Sequence, residues 1–151
     1  MLANYVKLSN GVIKQVDRKK YNYDFDYSNN YNKLGELGVR MAYLRLGHII
    51  GSLGFIPNSI MDVGYGNGDF IKVCTNIIKN CYGSDVSPYP VPDGVQFISD
   101  RYSIDVDVVT FFDVLEHYED IYEVIASVGM NIIVGLAFWM EWNDHRKNKI
   151  S

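Results

Sequence analysis

IMDVGYGNGDF, residues 60–70, places three glycines at alternate positions directly after a short apolar run. Glycine lets the backbone turn sharply and lets a ligand approach the main chain closely. The residues around this loop predict a strand over 59–63 and a helix over 69–80. In open α/β sheets, a loop that connects a strand to a helix in this way lies where ligands bind. The segment therefore predicts a ligand-binding turn in an α/β fold.

The rest of the chain continues this alternation of strands and helices. The continuous apolar run at 106–112 is typical of a parallel strand that is covered on both faces. We therefore expect a Rossmann-like three-layer α/β sandwich, with a mostly parallel sheet of about five strands and helices on both faces. Besides those already named, the pattern predicts strands over 81–86, 95–99, 106–112 and 131–139, and helices over 35–53 and 115–128.

Two parts of the chain differ in composition. Residues 35–151 carry the strand–helix alternation and are predicted to be the ligand-binding domain, whereas residues 1–34 are predicted to be an N-terminal arm or cap. Within the arm, YNYDFDYSNNYN at 21–32 has turn chemistry and little aliphatic content. A surface loop is favoured there over a lid or an acceptor-contacting arm, because most loops are not lids.

Composition excludes several classes of protein. A chain of 151 residues, with 48% apolar and 21% charged residues, fits one globular domain. The net charge of −4 disfavours nucleic acid as a partner. No apolar run reaches a membrane-spanning length, and no secretory signal is visible. Cys74 and Cys81 fit neither a CxxC pair nor a zinc knuckle, so we expect a reduced, cytoplasmic protein.

The acidic residues of the glycine loop discriminate between nucleotide ligands. A dinucleotide fingerprint requires glycine at position 69, but the chain has Asp69, whose carboxylate would repel a pyrophosphate at that helix N-terminus. A P-loop is excluded because no Gly-Lys-Ser/Thr follows. S-adenosylmethionine has no phosphate and carries a sulfonium cation, so Asp62 and Asp69 suit this ligand and disfavour NAD.

Two further aspartates follow predicted strands. Asp85 lies 19 residues beyond Gly66, where a carboxylate can accept both hydroxyls of a ribose. We favour this function over a plain turn-forming role before Val86-Ser87-Pro88. Asp100 closes the predicted strand 95–99 and could accept from an adenine amine, but an ordinary strand-end aspartate fits equally well.

Four segments of the chain, IMDVGYGNGDF, CYGSDVS, VQFISD and DVVTFFDVLEHYED, resemble the class I S-adenosylmethionine-dependent methyltransferases in order and spacing. The last contains DVLEH, which is close to the signature of the small-molecule branch. The resemblance implies methyl transfer from S-adenosylmethionine to a small-molecule or hydroxyl acceptor. It also implies that Asp62 and the glycines surround the methionine end and that Asp85 holds the ribose. Asp100 and Arg101 would flank the adenine, and Phe111 and Phe112, just past the fourth strand, would wall the methyl-transfer site. The implied cofactor contacts are Asp62, Gly64, Tyr65, Gly66, Asn67, Gly68, Asp85, Val86, Asp100, Arg101, Phe111 and Phe112.

The candidate catalytic residues are Asp113, Glu116 and His117, which fall on adjacent turns at the start of a predicted helix. An acceptor hydroxyl needs a general base, and all three are candidates. Some family members that carry a similar group bind a divalent metal there. Capping of the helix by Asp113, with Glu116 three residues on, is favoured over a metal site, so no metal is predicted.

Other features depart from the family pattern. Tyr65 replaces a residue that is often small, which predicts a narrower pocket. The antiparallel hairpin that usually ends the sheet is missing, so either a second subunit covers the open edge or the domain is a minimal or truncated form. A catalytically silent cofactor-binding or scaffold domain is therefore the alternative function. An NAD-linked oxidoreductase is disfavoured by Asp62 and Asp69, and base methylation by the lack of an Asn/Asp-Pro-Pro-Tyr/Phe motif.

Overall fold

Strands and helices alternate along the chain from residue 36 onward. The computed structural model describes residues 5–7, 13–15, 35–87, 89–99, 104–118, 120–128 and 132–136. The helices are α1 (Glu36–Leu53), α2 (Asp69–Cys74) and α3 (Ile121–Ser127), with a 3-10 helix at Leu115–His117. The strands are β1 (Tyr5–Lys7), β2 (Ile13–Gln15), β3 (Ser59–Val63), β4 (Asn80–Ser84), β5 (Val95–Phe97), β6 (Val108–Phe112) and β7 (Ile132–Leu136).

Five of the strands form one sheet in the order β5-β4-β3-β6-β7, and every neighbouring pair is parallel. Strands β3, β4 and β5 follow one another in one direction, and β6 then returns to the other side of β3. The carboxyl ends of β3 and β6 flank this reversal, which is where open α/β sheets bind ligands. The predicted parallel α/β fold is confirmed. The short strands β1 and β2 form a separate antiparallel pair.

Successive side chains of each central strand enter different halves of the core. Ile60 and Val108 pack in the cluster that contains α1 and α2, whereas Met61 and Val109 pack in the cluster that contains α3. All four side chains are almost fully buried. The sheet is thus covered by helices on both faces, as predicted. Truncating one of these large side chains to alanine would cost about 2–5 kcal/mol of stability, since the core relaxes only partly.

Two predicted helices are longer than the observed ones. The helix predicted over 69–80 ends at Cys74, where the chain tightens into a turn. The helix predicted over 115–128 is split into the 3-10 helix and α3. Asp120, and not Asp113, caps α3, because its carboxylate accepts a hydrogen bond from the Glu123 main chain at 3.0 Å. The sequence contains two Asp-x-x-Glu boxes, and the second one forms the cap.

The remaining boundaries agree closely. Helix α1 covers almost the whole predicted range and ends before Gly54. The strand predicted over 59–63 is observed with the same bounds, and those predicted over 81–86, 95–99 and 106–112 differ from the observed strands by one or two residues at an end. The Tyr-rich segment 21–32 and the tail 137–151 lie outside the described residues, so their roles and the division into arm and domain stay predictions. Within the described part of the chain, β7 has a neighbour on one side only. None of the helices described is long and apolar enough to span a membrane.

Candidate functional site

The loop after β3 has a backbone that requires its glycines. Gly64, Gly66 and Gly68 have φ values of 75°, 57° and 81°, in the left-handed region that residues with a Cβ rarely adopt. The Gly64 N–H donates to the carbonyl of Ser84 at 2.7 Å, so the loop is fixed to the end of β4. Alternating glycines thus let the chain turn twice within a few residues.

The three glycines have different surroundings. A Cβ at Gly64 would lie 2.3 Å from Cγ2 of Val114, and one at Gly68 would lie 2.3 Å from Cγ of Pro92. At Gly66, by contrast, no described atom lies within 4 Å of the Cβ position, apart from Gly66 itself and its two neighbours along the chain. Gly64 and Gly68 are therefore needed for packing within the chain, whereas Gly66 leaves open space over the loop. A ligand can approach the main chain there.

Asp85 borders this space from the carboxyl end of β4. Its Oδ2 accepts a hydrogen bond from the Gly66 N–H at 2.7 Å. Its Oδ1 accepts from the Ser87 N–H at 2.6 Å and also from the Ser87 hydroxyl. The sequence predicted that Asp85 and the glycine loop share one site, and the structure brings them into direct contact.

Asp62 is the buried carboxylate of the site. Its side chain is 2% exposed, and its Oδ1 accepts a hydrogen bond from the hydroxyl of Thr110, its partner on β6, at 2.6 Å. Burial raises the pKa of Asp62 to about 7, against the Thr110 hydrogen bond and the positive charge of Arg45, which both lower it. Near neutral pH this carboxylate is therefore poised between its two protonation states, so a nearby cation would favour the ionised form.

Arg45 on α1 was not predicted from the sequence, yet it belongs to the site. Its Nη2 pairs with Oδ2 of Asp113 at 3.1 Å, and its guanidinium carbon lies 4.3 Å from the ring centroid of Phe112. Its Nε is buried, and among the described residues it has no hydrogen-bond partner. The available signal was its position beside Leu46, on the flank of the buried stripe of α1. Arg45 thus brings positive charge and a spare donor to an acidic loop.

The two phenylalanines after Thr110 have separate roles. The strand predicted over 106–112 includes both, and they are the last two residues of β6, so only the position past the strand that the resemblance implied is wrong. Phe111 is 1% exposed and packs in the α3 half of the core. Phe112 points to the opposite face, where it meets Phe70 edge-on at a centroid distance of 4.7 Å. Of the two, Phe112 is the one in contact with Arg45.

The side chain of Tyr65 packs in the core beside the loop, and the narrower pocket expected from it stays a prediction. Its side chain is 5% exposed and packs on Gly83, where a Cβ would come within 2.8 Å of its ring. Its hydroxyl donates to the carbonyl of Tyr89 at 3.2 Å. Burial, and then the charge of Asp85, raise the pKa of Tyr65. The missing side chain at Gly83 makes room for the ring in the core, and the main chain of Tyr65 stays in the loop.

The other predicted cofactor contacts are placed as follows. Asn67 forms a side-chain turn just before α2, whose N-cap is Gly68. Its Oδ1 accepts from the Asp69 N–H at 3.2 Å, and its Nδ2 donates to the Asp69 carboxylate at 2.8 Å. This arrangement keeps Asp69 at the helix N-terminus, where it disfavours phosphate. The side chain of Val86 is largely exposed. Asp100 and Arg101 lie outside the described residues.

The three candidate catalytic residues are only partly described. Asp113 has a φ of 58° and is engaged with Arg45. His117 is exposed at the end of the 3-10 helix, and its main chain donates to Val114 at 2.9 Å. The side chain of Glu116 lies outside the described part of the chain. No group of three His, Cys, Asp or Glu side chains that could hold a metal is found among the described residues.

The two cysteines are buried free thiols on the α1 side of the core. Burial raises the pKa of Cys81 to about 11, and the pKa of Cys74 is raised further by burial and by the charges of Asp62 and Cys81. A thiol that stays protonated is a poor nucleophile. Both cysteines are therefore core residues and not candidates for covalent catalysis.

Comparison with known proteins gives a consistent result. The family described as "Methyltransferase domain" matches residues 34–143. No curated protein matches the chain significantly. Among solved structures, a Methanococcus maripaludis protein assigned to the S-adenosyl-L-methionine-dependent methyltransferases has a TM-score of 0.59 at 16% identity, covering 79% of this chain and 67% of its own.

Two further structures are similar. CalS10, an amino pentose methyltransferase from Micromonospora echinaspora involved in calicheamicin biosynthesis, was solved with S-adenosylmethionine bound, and has a TM-score of 0.59 at 17% identity, covering 82% of this chain and 61% of its own. The plantazolicin methyltransferase BpumL, in complex with a desmethylPZN analogue and S-adenosylhomocysteine, has a TM-score of 0.54 at 18% identity, covering 72% and 51%. The chain thus spans half to two thirds of the structures it resembles, and at these identities the likeness establishes the fold.

Proposed function

The chain belongs to the family of methyltransferase domains, and we propose that it binds S-adenosylmethionine and transfers its methyl group to a small-molecule acceptor. One observation carries the proposal. The open space over Gly66 is bordered by the carboxylate of Asp85 and lies in a loop that follows the buried carboxylate of Asp62. A phosphate-free, cationic nucleoside suits such surroundings, whereas a pyrophosphate is repelled by them.

The charges of the site fit the parts of this cofactor. Its ammonium and sulfonium groups are cations, for which Asp62 is a counterion within the site. Its carboxylate needs a donor, and the buried Nε of Arg45 is a donor without a partner among the described residues. Its ribose needs an acceptor beside a close-approaching main chain, which Asp85 and Gly66 together supply. Donors and acceptors placed in this way orient a bound ligand.

When bound, the cofactor supplies an electrophilic methyl group for in-line attack by the acceptor. The chain contributes mainly by holding the two reactants in line. Such positioning can supply a large part of the rate enhancement. An acceptor hydroxyl also has to lose its proton to a base. Of the three candidates, His117 is exposed at the end of the 3-10 helix, and we propose it as the base. Phe112, with its ring against Arg45, forms the apolar wall beside the cofactor.

The proposal of a small-molecule acceptor is supported only by the substrates named for similar structures. Similar structures belong to enzymes named for an amino pentose and for plantazolicin, so a small-molecule acceptor is consistent with them. We also propose that residues 1–34 form an N-terminal arm or cap, that the protein is cytoplasmic, and that a second copy covers the edge of β7. Two buried free thiols support the second of these, and the single neighbour of β7 among the described strands supports the third.

Thermal unfolding with and without ligand tests the cofactor assignment. A ligand that binds the folded state raises the melting temperature. S-adenosylmethionine and S-adenosylhomocysteine should each raise it, and NAD at the same concentration should not. A shift with NAD alone would contradict the proposal.

Turnover is tested with radiolabelled S-adenosylmethionine and a panel of small hydroxyl and amine acceptors. Methyl transfer to a member of the panel supports an enzyme, and replacing His117 by alanine should slow transfer to a hydroxyl. Cofactor binding without transfer to any acceptor would favour the alternative, a catalytically silent cofactor-binding domain.

A further inference from the structure

The Asp85 carboxylate already accepts three hydrogen bonds, so it has too few free lone pairs to accept both hydroxyls of a ribose. A carboxylate offers about four lone-pair sites, two on each oxygen. In the structure Oδ1 accepts from both the N–H and the hydroxyl of Ser87, and Oδ2 accepts from the N–H of Gly66. One site on Oδ2 is then left, and Oδ1 is filled.

A vicinal diol that binds a carboxylate in two-point fashion donates one O–H to each oxygen. Such a ribose therefore needs a free site on Oδ1 as well as the one on Oδ2. The donors from Gly66 and from the Ser87 main chain are fixed by the turns they belong to. The Ser87 hydroxyl is different, because it can rotate about χ1 and donate to water instead.

We propose that the Ser87 hydroxyl competes with the cofactor ribose for Oδ1 of Asp85, so that Ser87 is an affinity-limiting residue whose hydroxyl turns away when the cofactor binds. This inference rests on the proposed function, since it takes Asp85 as the ribose-binding carboxylate. The chemical consequence is specific. Ser87 lowers the affinity for nucleosides with both ribose hydroxyls, and it does not affect those that need only Oδ2.

The test is a calorimetric titration of S-adenosylhomocysteine into the wild-type chain and variants. Ser87→Ala keeps the main-chain donor and removes the competing hydroxyl, so its Kd should fall roughly three- to tenfold, the worth of one net hydrogen bond. Ser87→Thr keeps a hydroxyl and should bind like the wild type. Ser52→Ala, on the exposed face of α1, is the matched control and should leave the Kd unchanged. The melting temperature of each unliganded variant reports whether it folds.

The same titrations with the 2′-deoxy and 3′-deoxy forms of S-adenosylhomocysteine separate competition from a general change in the loop. The gain in Ser87→Ala should disappear for the form that lacks the hydroxyl bound by Oδ1, and a merely structural role would not produce this dependence. Equal or weaker binding by a folded Ser87→Ala overturns the inference, as does an identical gain with all three ligands. A wild-type chain that binds no S-adenosylhomocysteine overturns the proposed function itself, whereas wild-type binding without the gain overturns only the role of Ser87.

Discussion

Two aspartates at opposite ends of the same sheet make nearly the same hydrogen bonds. At the amino ends of β3 and β6, Asp107 accepts from the main-chain N–H groups of Asn58 and Ser59 at 2.7 and 3.0 Å. At the carboxyl ends of β3 and β4, Asp85 accepts from the N–H groups of Gly66 and Ser87 at 2.7 and 2.6 Å. Each carboxylate holds two neighbouring segments together, and neither pattern by itself indicates a ligand.

The surroundings separate the two ends. The Ser59 hydroxyl returns a hydrogen bond to the main chain of Asp107 at 2.9 Å, and none of the positive φ values found in the described residues falls at these positions. Around Asp85 lie left-handed glycines, the open space over Gly66 and, on the adjacent strand β3, the buried Asp62. Open space, left-handed glycines and a buried carboxylate therefore mark the functional end, and hydrogen bonding alone does not.

The largest expected effect comes from filling the open space. Gly66→Val should reduce the affinity for S-adenosylhomocysteine by more than about 100-fold, because a branched side chain occupies the place of the ligand. The fold should survive at a cost of about 1–3 kcal/mol, since the strain is confined to one left-handed residue. Calorimetry and urea unfolding measure the two quantities.

Gly64→Ala is the control variant for Gly66→Val. Its Cβ would clash with Val114, so it should destabilise the fold more than Gly66→Val does, despite the smaller side chain. A Gly66→Val variant that binds with wild-type affinity would mean that the cofactor lies elsewhere.

Replacing each of the two aspartates by alanine tests the comparison between the two ends of the sheet. Asp85→Ala and Asp107→Ala should each lower the free energy of unfolding by about 1–3 kcal/mol, because both leave main-chain donors unpaired. Only Asp85→Ala should weaken S-adenosylhomocysteine binding, by roughly 30- to 100-fold. If both variants bind equally well, Asp85 has no ribose role.

Stability should depend on pH through Asp62. Its pKa is raised from 3.8 to about 7, so between these values the folded chain holds a proton that the unfolded chain releases. The free energy of unfolding should therefore fall by roughly 2 kcal/mol as the pH rises from about 5 to about 8. Urea unfolding at the two pH values measures this. An Asp62→Asn variant with the wild-type slope would contradict the assignment.

The smallest expected effect is at Tyr65, which lies beside the site but packs in the core. Tyr65→Phe removes the hydrogen bond to Tyr89, so the free energy of unfolding should fall by about 1 kcal/mol. The Kd for S-adenosylhomocysteine should stay within about twofold of the wild type, because the side chain does not face the ligand. A tenfold loss of affinity would mean that the Tyr65 side chain contacts the ligand.

The sequence predicts the sheet and the contact between Asp85 and the glycine loop, because both follow from local patterns and from the rule that parallel strands end at one edge. Arg45 could not be predicted in this way, since its role depends on how α1 packs against β6. The different roles of Phe111 and Phe112 could not be predicted either, because they depend on which helices pack against each face of β6. The Asp-x-x-Glu pattern occurs twice, at Asp113 and at Asp120, and either aspartate could cap a helix. The sequence pattern alone does not tell which of them is the N-cap of α3.

The central claim is that a phosphate-free nucleoside occupies the space over Gly66 with its ribose on Asp85. A crystal structure of the chain grown with S-adenosylhomocysteine tests this most directly. The account predicts ribose hydroxyls within about 3 Å of the Asp85 carboxylate, with the amino acid end toward Asp62 and Arg45. A loop that stays empty at saturating ligand, or that holds a pyrophosphate from added NAD, would contradict it.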